Sequence, residues 1–115
     1  MQGQYVLMTI LLSLPASSVL AADRFLGFNE TTATAFTGVY LAPAGTTAWG
    51  ANQALNDKDK VWDFGERLTI KNLSRGTFEL KVVDRSGRIC IKHGIDLTKD
   101  TTFDIRDEDL RDCGH

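Results

Sequence analysis

Residues Thr77 to Val83 read TFELKVV, which sets Phe78, Leu80 and Val82 on one side and Glu79 and Lys81 on the other. A period of two suits a half-buried strand and cannot form the apolar stripe of a helix. The same alternation recurs at Leu68 and Ile70 within Arg67 to Lys71, and again at Phe103 and Ile105. Between the strands lie Gly, Asn, Asp and Ser; Asp84-Arg85-Ser86-Gly87 is a hairpin turn in which Gly87 can take a positive φ. It leads into Arg88 to His93, where Ile89 and Ile91 share one face and Cys90 and Lys92 the other. Ile95 with Leu97, and Thr101 with Phe103 and Ile105, give two further short strands, and Phe25, Leu26 and Phe28 give a first one. Phe36 to Leu41, FTGVYL, is apolar on both faces, which predicts a central strand covered on each side. Six or seven short strands without sustained helical periodicity predict an all-β fold, a small antiparallel β-sandwich of immunoglobulin-like or transthyretin-like type.

One long connection interrupts this pattern, from Ala42 to Gly65, and it carries both tryptophans of the chain, Trp49 and Trp62. Connections longer than about 12 to 15 residues are usually functional or flexible. Two readings stay open. Trp49, Leu55, Trp62 and Phe64 fold back as a plug over one side of the sandwich, or Trp49, Gly50, Asn52 and Trp62 form an exposed recognition surface, because aromatic residues concentrate binding energy at interfaces.

The chain opens with Tyr5 to Leu14, YVLMTILLSL, followed by Pro15-Ala16-Ser17-Ser18 and the small residues Ala21 and Ala22. That order matches the apolar and cleavage regions of a secretion signal. The run is too short for a good membrane anchor, since crossing a bilayer takes about 20 apolar residues. Residues 1–22 therefore read as a signal peptide and 23–115 as a single domain, with no membrane span after cleavage and a periplasmic or secreted location.

All 13 Lys and Arg and all 15 Asp and Glu lie after Ala22, and the formal net charge is −2. The basic residues alternate with acids along the strands, so the clustered positive surface needed to hold phosphates is missing and nucleic acid is not an expected partner. The two cysteines, Cys90 and Cys113, form an even count in an oxidising compartment and are expected to pair. Closing that loop stabilises a fold by about 3 kcal/mol in the chain-entropy picture. A metal site from Cys90, His93, Cys113 and His115 competes with the disulfide, and export favours oxidised sulfur. Asp57 and Asp59 begin a calcium-loop pattern, but Val61 and Trp62 occupy its fifth and sixth positions; Asp104, Asp107, Glu108, Asp109 and Asp112 are interrupted by Arg106 and Arg111. Ser74 and Ser86 lie in turns, the histidines are His93 and His115, and GxSxG is absent. No nucleophile, base and orienting acid are thereby selected, and the chain is not expected to be an enzyme or to need a cofactor. Asn29-Glu30-Thr31 and Asn72-Leu73-Ser74 have the form of glycosylation sequons.

The segment 29–55, with its Asn-x-Thr start, Tyr40-Leu41-Ala42-Pro43 and Trp49-Gly50-Ala51-Asn52-Gln53-Ala54-Leu55, resembles a family of small exported bacterial proteins of unknown function. A strand like Phe78 to Asp84, then a Gly turn and Cys90, extends the likeness over most of 23–115. The resemblance implies a compact periplasmic β domain and brings no established activity. The expected function is that of a non-enzymatic domain binding or supporting another envelope protein through the Trp-containing loop or an exposed edge strand. The alternatives are a small-ligand or calcium-binding periplasmic protein and an enzyme; the oligomeric state is left open.

The signal reading has a direct check. Intact-mass measurement of the exported protein should give a species beginning at Ala22 or Asp23, and a mature form that still carries Met1 to Leu20 would overturn it.

Overall fold

The computed structural model describes residues 24–111 and 113–114. The expected signal segment, its cleavage point and His115 lie outside the described residues.

Six strands form: β1 (Phe25–Glu30), β2 (Phe36–Pro43), β3 (Arg67–Ile70), β4 (Thr77–Asp84), β5 (Ile89–Asp96) and β6 (Thr102–Arg106). Among the described residues, two short 3-10 helices, Gln53–Asn56 and Asp107–Leu110, complete the elements. The strands make two three-stranded sheets, ordered β3-β1-β6 and β2-β4-β5. Each strand turns alternate side chains inward. Phe25 on β1, Leu68 and Ile70 on β3, and Phe103 and Ile105 on β6 meet Val39 and Leu41 on β2 and Phe78, Leu80 and Val82 on β4 in one buried core. The expected small all-β sandwich is therefore what forms, with one departure from a purely antiparallel plan: β1 and β6 run parallel, with Gly27 opposite Phe103 and Asn29 opposite Ile105.

Two strand assignments differ from the sequence reading, and a point that it left open is decided. Phe36–Pro43 is not central; it ends its sheet and pairs only with β4. Its apolar look on both sides arises because two of its outward positions are the small residues Gly38 and Ala42, both buried. Ile95 does not begin a new strand but continues β5, and the link is a β-bulge. Phe78 faces Ile95 while Leu80 faces Lys92, so two steps on β4 match three on β5. Gly94 takes φ 73° at this point, a value that a residue bearing Cβ adopts only with strain. Finally, it is the Cys90 side of β5 that faces the core, whereas Ile91 is 43% exposed.

The long connection does not plug the sandwich as a block. Trp62 is fully buried and Trp49 half-buried, while Leu55 and Phe64 point outward at 57% and 50% exposure. Trp62 bridges to the start of β2: its N–H donates to the Phe36 carbonyl at 2.8 Å and its carbonyl accepts from the Phe36 N–H at 3.0 Å. Its indole N–H donates to the Glu66 carbonyl at 3.0 Å, as a buried Trp requires. The ring lies against Phe36 and edge-on to Phe103, with centroids 5.9 and 6.3 Å apart. Gly27 makes room for it, because a Cβ there would stand 3.0 Å from the indole and 2.9 Å from the Phe103 ring.

Between Trp49 and Trp62 the chain closes one side of the sandwich with side-chain amides. Asn52 acts on the open edge of β2, where its Oδ1 accepts from the Val39 N–H at 2.9 Å and its Nδ2 donates to the Thr37 carbonyl at 3.0 Å. Gly50 adds an N–H to the Leu41 carbonyl at 3.0 Å. The next residue faces the other sheet. Gln53 Oε1 accepts from the Lys71 N–H and its Nε2 donates to the Lys71 carbonyl, both at 3.0 Å, just past the end of β3. Asn56 Nδ2 then donates to the Thr69 carbonyl at 2.8 Å. A carboxamide carries the same acceptor and donor as a peptide group, so these residues stand where neighbouring strands would.

Removing the amide should expose the edge. Asn52→Ala leaves the Val39 N–H and Thr37 carbonyl without their partners, at a cost of about 1–3 kcal/mol, whereas Leu55→Ala, three residues on and exposed, should stay within about 0.5 kcal/mol. Urea unfolding of both variants checks this, and equal midpoints would show that the amide clasp adds no stability.

Candidate functional site

The four residues singled out from the sequence go to three different places. Trp62 belongs to the core, and Gly50 and Asn52 are committed to the β2 edge. Only Trp49 reaches a surface that could meet a partner, the outer face of the sheet β2-β4-β5.

On that face Tyr40, Lys81 and Ile91 form a row across the three strands, since Tyr40 pairs in register with Lys81 and Lys81 with Ile91. The segment after β2 folds back so that Trp49 joins them. The Lys81 ammonium lies 4.8 Å from the centroid of the Tyr40 ring and 4.8 Å from that of the Trp49 ring. Both distances are within cation–π range, where the quadrupole of each ring attracts the charge. The segment is held in place by a neighbouring carboxylate: Glu79 Oε2 accepts from the Gly45 N–H at 2.7 Å, and Oε1 meets His93 Nδ1. The Gly45 N–H chiefly, and His93 after it, keep the Glu79 carboxyl below the usual Glu range. The row ends on the exposed Ile91, and the exposed ring of His93 stands beside Glu79. Sequence alternation alone marks Lys81 as outward; nothing in it shows that Tyr40, forty-one positions earlier, and Trp49 close over the same ammonium.

The sheet edges are less open than this face. The amides of Asn52, Gln53 and Asn56 occupy β2 and β3. On β6, Lys92 Nζ donates to the Asp104 carbonyl at 2.9 Å, and the Arg106 N–H donates to Asp109 Oδ2 at 2.8 Å. On β5 the chain's own tail is in place: Gly114 exchanges backbone hydrogen bonds with Ile89, and Cys113 is joined to Cys90 by the expected disulfide. Charged residues turned toward an edge, bulges and covering segments are the usual means of preventing strand addition.

A groove of about 470 Å3 passes over β6 and is lined by Phe28, Lys92, Asp96, Asp104 and Arg106 among others. Glu30, Lys92, Asp104 and Arg106 in its lining are already engaged in ion pairs. Lys92 lies 2.9 Å from Asp104 and 3.0 Å from Asp109, and Arg106 lies 2.7 Å from Glu30 and 3.0 Å from Asp104. Burial works against ionisation of Asp104, but hydrogen bonds from Lys92 and Arg106 outweigh it and hold the carboxyl below the usual Asp range. Asp84 behaves likewise: burial opposes its charge, and the Ser86 hydroxyl, the backbone N–H groups of Arg88 and Ser86 and the Arg88 guanidinium overcome it.

Three further acids accept hydrogen bonds within the fold. Asp57 accepts from the Asp59 N–H, Asp63 from the Phe64 N–H, and Asp107 from Thr32. Among the described residues no three His, Cys, Asp or Glu side chains are grouped to hold a metal ion. Ser86 donates its hydroxyl to Asp84 rather than to a histidine. The sequon at Asn29 is spent inside the fold, because Asn29 is buried and its Nδ2 donates to the carbonyls of Thr34 and Trp62 at 2.8 and 3.0 Å. Asn72 lies exposed in a turn with φ 59°. No helix among the described residues is long and apolar enough to cross a membrane.

No family model, curated protein or solved structure matches the chain. Its surface is therefore read from geometry.

These carboxyls determine the response to acid. Glu79, Asp84 and Asp104 all titrate lower in the folded protein than in the unfolded chain, so the unfolded chain binds more protons as the pH falls. Their contribution is complete above about pH 5 and declines as the solution passes through the unfolded carboxyl range near pH 4 and below. The melting temperature should fall between pH 6 and pH 3, and Asp104→Asn should flatten that dependence while lowering stability at pH 7. A melting temperature independent of pH over this range would refute the assignment.

Proposed function

We propose that this chain is an exported, non-enzymatic binding domain that holds another envelope protein on the outer face of the sheet β2-β4-β5. The observation that supports this most strongly is the Lys81 ammonium, seated between Tyr40 and Trp49 with the exposed Ile91 beside it in register. Aromatic residues that present a fixed charge next to an apolar side chain have the composition of binding hot spots. Ordering in advance matters as well: the Trp49 segment is tied to the sheet through Gly50 and Glu79, so little side-chain freedom remains to be lost on contact. The sealed edges favour recruitment by side chains on a face over recruitment by an added strand. Export agrees with the Cys90–Cys113 disulfide, since such bonds persist in oxidising compartments.

Site-specific photo-cross-linking from position 91 in the exported protein tests the proposal. One envelope protein should be captured from Ile91 and not from Leu55, which is more exposed but lies on the amide segment. The capture should disappear in Trp49→Ala and Lys81→Ala. Because Trp49 is half-buried, Trp49→Ala should cost about 1–2 kcal/mol of stability, roughly half of what burying a large apolar side chain is worth together with one lost cation–π contact. Cross-links that persist in both variants, or that form equally from position 55, would refute the face as the binding surface.

A further inference from the structure

The four sheet edges are closed by different means, and one closure is removable. On β2 and β3 the sealing amides come from Asn52, Gln53 and Asn56, which lie within the fold between two anchored strands. On β5 the seal is the C-terminal tail. β5 ends its sheet, and Ile89 turns both its N–H and its carbonyl away from β4 to pair with Gly114, the Gly114 N–H donating at 2.8 Å. The pairing is antiparallel. Directly beside it the disulfide joins Cys90 to Cys113 with Cα atoms 4.4 Å apart.

We infer that the tail masks a strand-accepting edge on β5, and that reduction of the Cys90–Cys113 disulfide releases this edge to pair with a second copy of the chain. In the chemical step a dithiol reductant supplies two electrons and two protons. The S–S bond breaks, Cys90 and Cys113 become thiols, and the reductant leaves as its own disulfide. Among the described residues, what then holds the tail is one pair of backbone hydrogen bonds with Ile89, the packing of Leu110 and Cys113 against the core and, upstream, the ion pair of Asp109 with Lys92. The tail itself shows that Ile89 accepts an antiparallel backbone partner.

A second β5 offers the same donors and acceptors. Two such edges related by a two-fold axis are self-complementary, whereas on each of the other edges side chains already take up backbone groups. Ile91 extends the exposed edge, since residues two apart on an antiparallel strand turn their backbone groups to the same side. Its side chain is 43% exposed and adds apolar surface next to the seam. The bulge at Gly94 limits the pairing to the first half of β5.

Light scattering on a sizing column decides the matter. Oxidised protein should elute as a monomer, and protein reduced with dithiothreitol should double in mass. Gly114→Pro removes the N–H that donates to Ile89 while leaving both cysteines in place, so oxidised Gly114→Pro should also dimerise. Ile91→Pro deletes an edge N–H that β4 does not use, and it should return the reduced protein to monomer. If far-ultraviolet circular dichroism shows that reduction melts the strands, oxidised Gly114→Pro decides alone. A monomer in both the reduced protein and Gly114→Pro, or a dimer that survives Ile91→Pro, overturns the inference.

Discussion

Asn52 and Gln53, adjacent in sequence, hold two different sheets, and the rest of the sandwich is arranged around that fact. Two three-stranded sheets facing each other expose four edges, and each edge carries backbone groups that need partners. A further strand on β2 would satisfy that edge but would widen its sheet and leave a new edge outside it. A carboxamide ends the ladder instead. Asn52 gives β2 one acceptor and one donor, Gln53 gives the same pair to the end of β3, and Ala54, the following residue, is buried in the core. The 3-10 turn that carries them is itself capped by Asn52, whose Oδ1 also accepts from the Ala54 N–H at 3.0 Å.

Trp62 plays the corresponding part at the other end of the same connection. It enters the core between Phe36 and Phe103, which belong to different sheets, and its carbonyl is shared by Phe36 N–H and the Asn29 side chain. Asn29 is buried, yet its side-chain oxygen accepts from the Thr31 hydroxyl and its nitrogen is fully used. A buried amide with every group paired specifies one arrangement of its surroundings, because any slip would orphan a polar atom in a medium of low dielectric. The long connection is in this way anchored at both ends and in the middle, and Leu55 and Phe64 are the large apolar side chains it leaves exposed. That anchoring is also what places Trp49 over Lys81.

Charge completes the closure on the opposite side. Lys92 points from β5 toward β6 and meets Asp104 and Asp109, while Arg106 ties Asp104 to Glu30. Partial burial of Lys92 disfavours its charge, and the two carboxylates more than compensate, raising its pKa above that of a free lysine. The outcome is a domain whose edges carry amides, ion pairs and a disulfide-held tail, and on which Tyr40, Trp49 and Lys81 gather on the face of one sheet. The physical contrast between a blocked edge and an available face is the basis for reading the molecule as a face-binding domain.

Much of the fold was legible in the sequence, for a local reason. Alternation at Phe78, Leu80 and Val82, at Leu68 and Ile70, and at Phe103 and Ile105 reports burial directly, since side chains on a strand have no other period. The hairpin at Asp84 to Gly87 and the Cys90–Cys113 pair are likewise local or compositional signals, and both stand in the structure, with Gly87 at φ 87°. Local signals fail where two distant segments decide together. FTGVYL looked central because both its faces are apolar, but whether a strand has one neighbour or two depends on which other strands choose it. Ile95 looked like a new strand because the bulge at Gly94 resets the alternation, and the parallel pairing of β1 with β6 leaves no trace in either segment. Of the candidate site, the sequence singled out Trp49 by its place in a long connection. The tertiary structure alone decided that Gly50 and Asn52 seal an edge, that Trp62 fills the core, and that Trp49 meets Tyr40 around Lys81, because backbone groups and rings become partners only after folding has brought distant positions together.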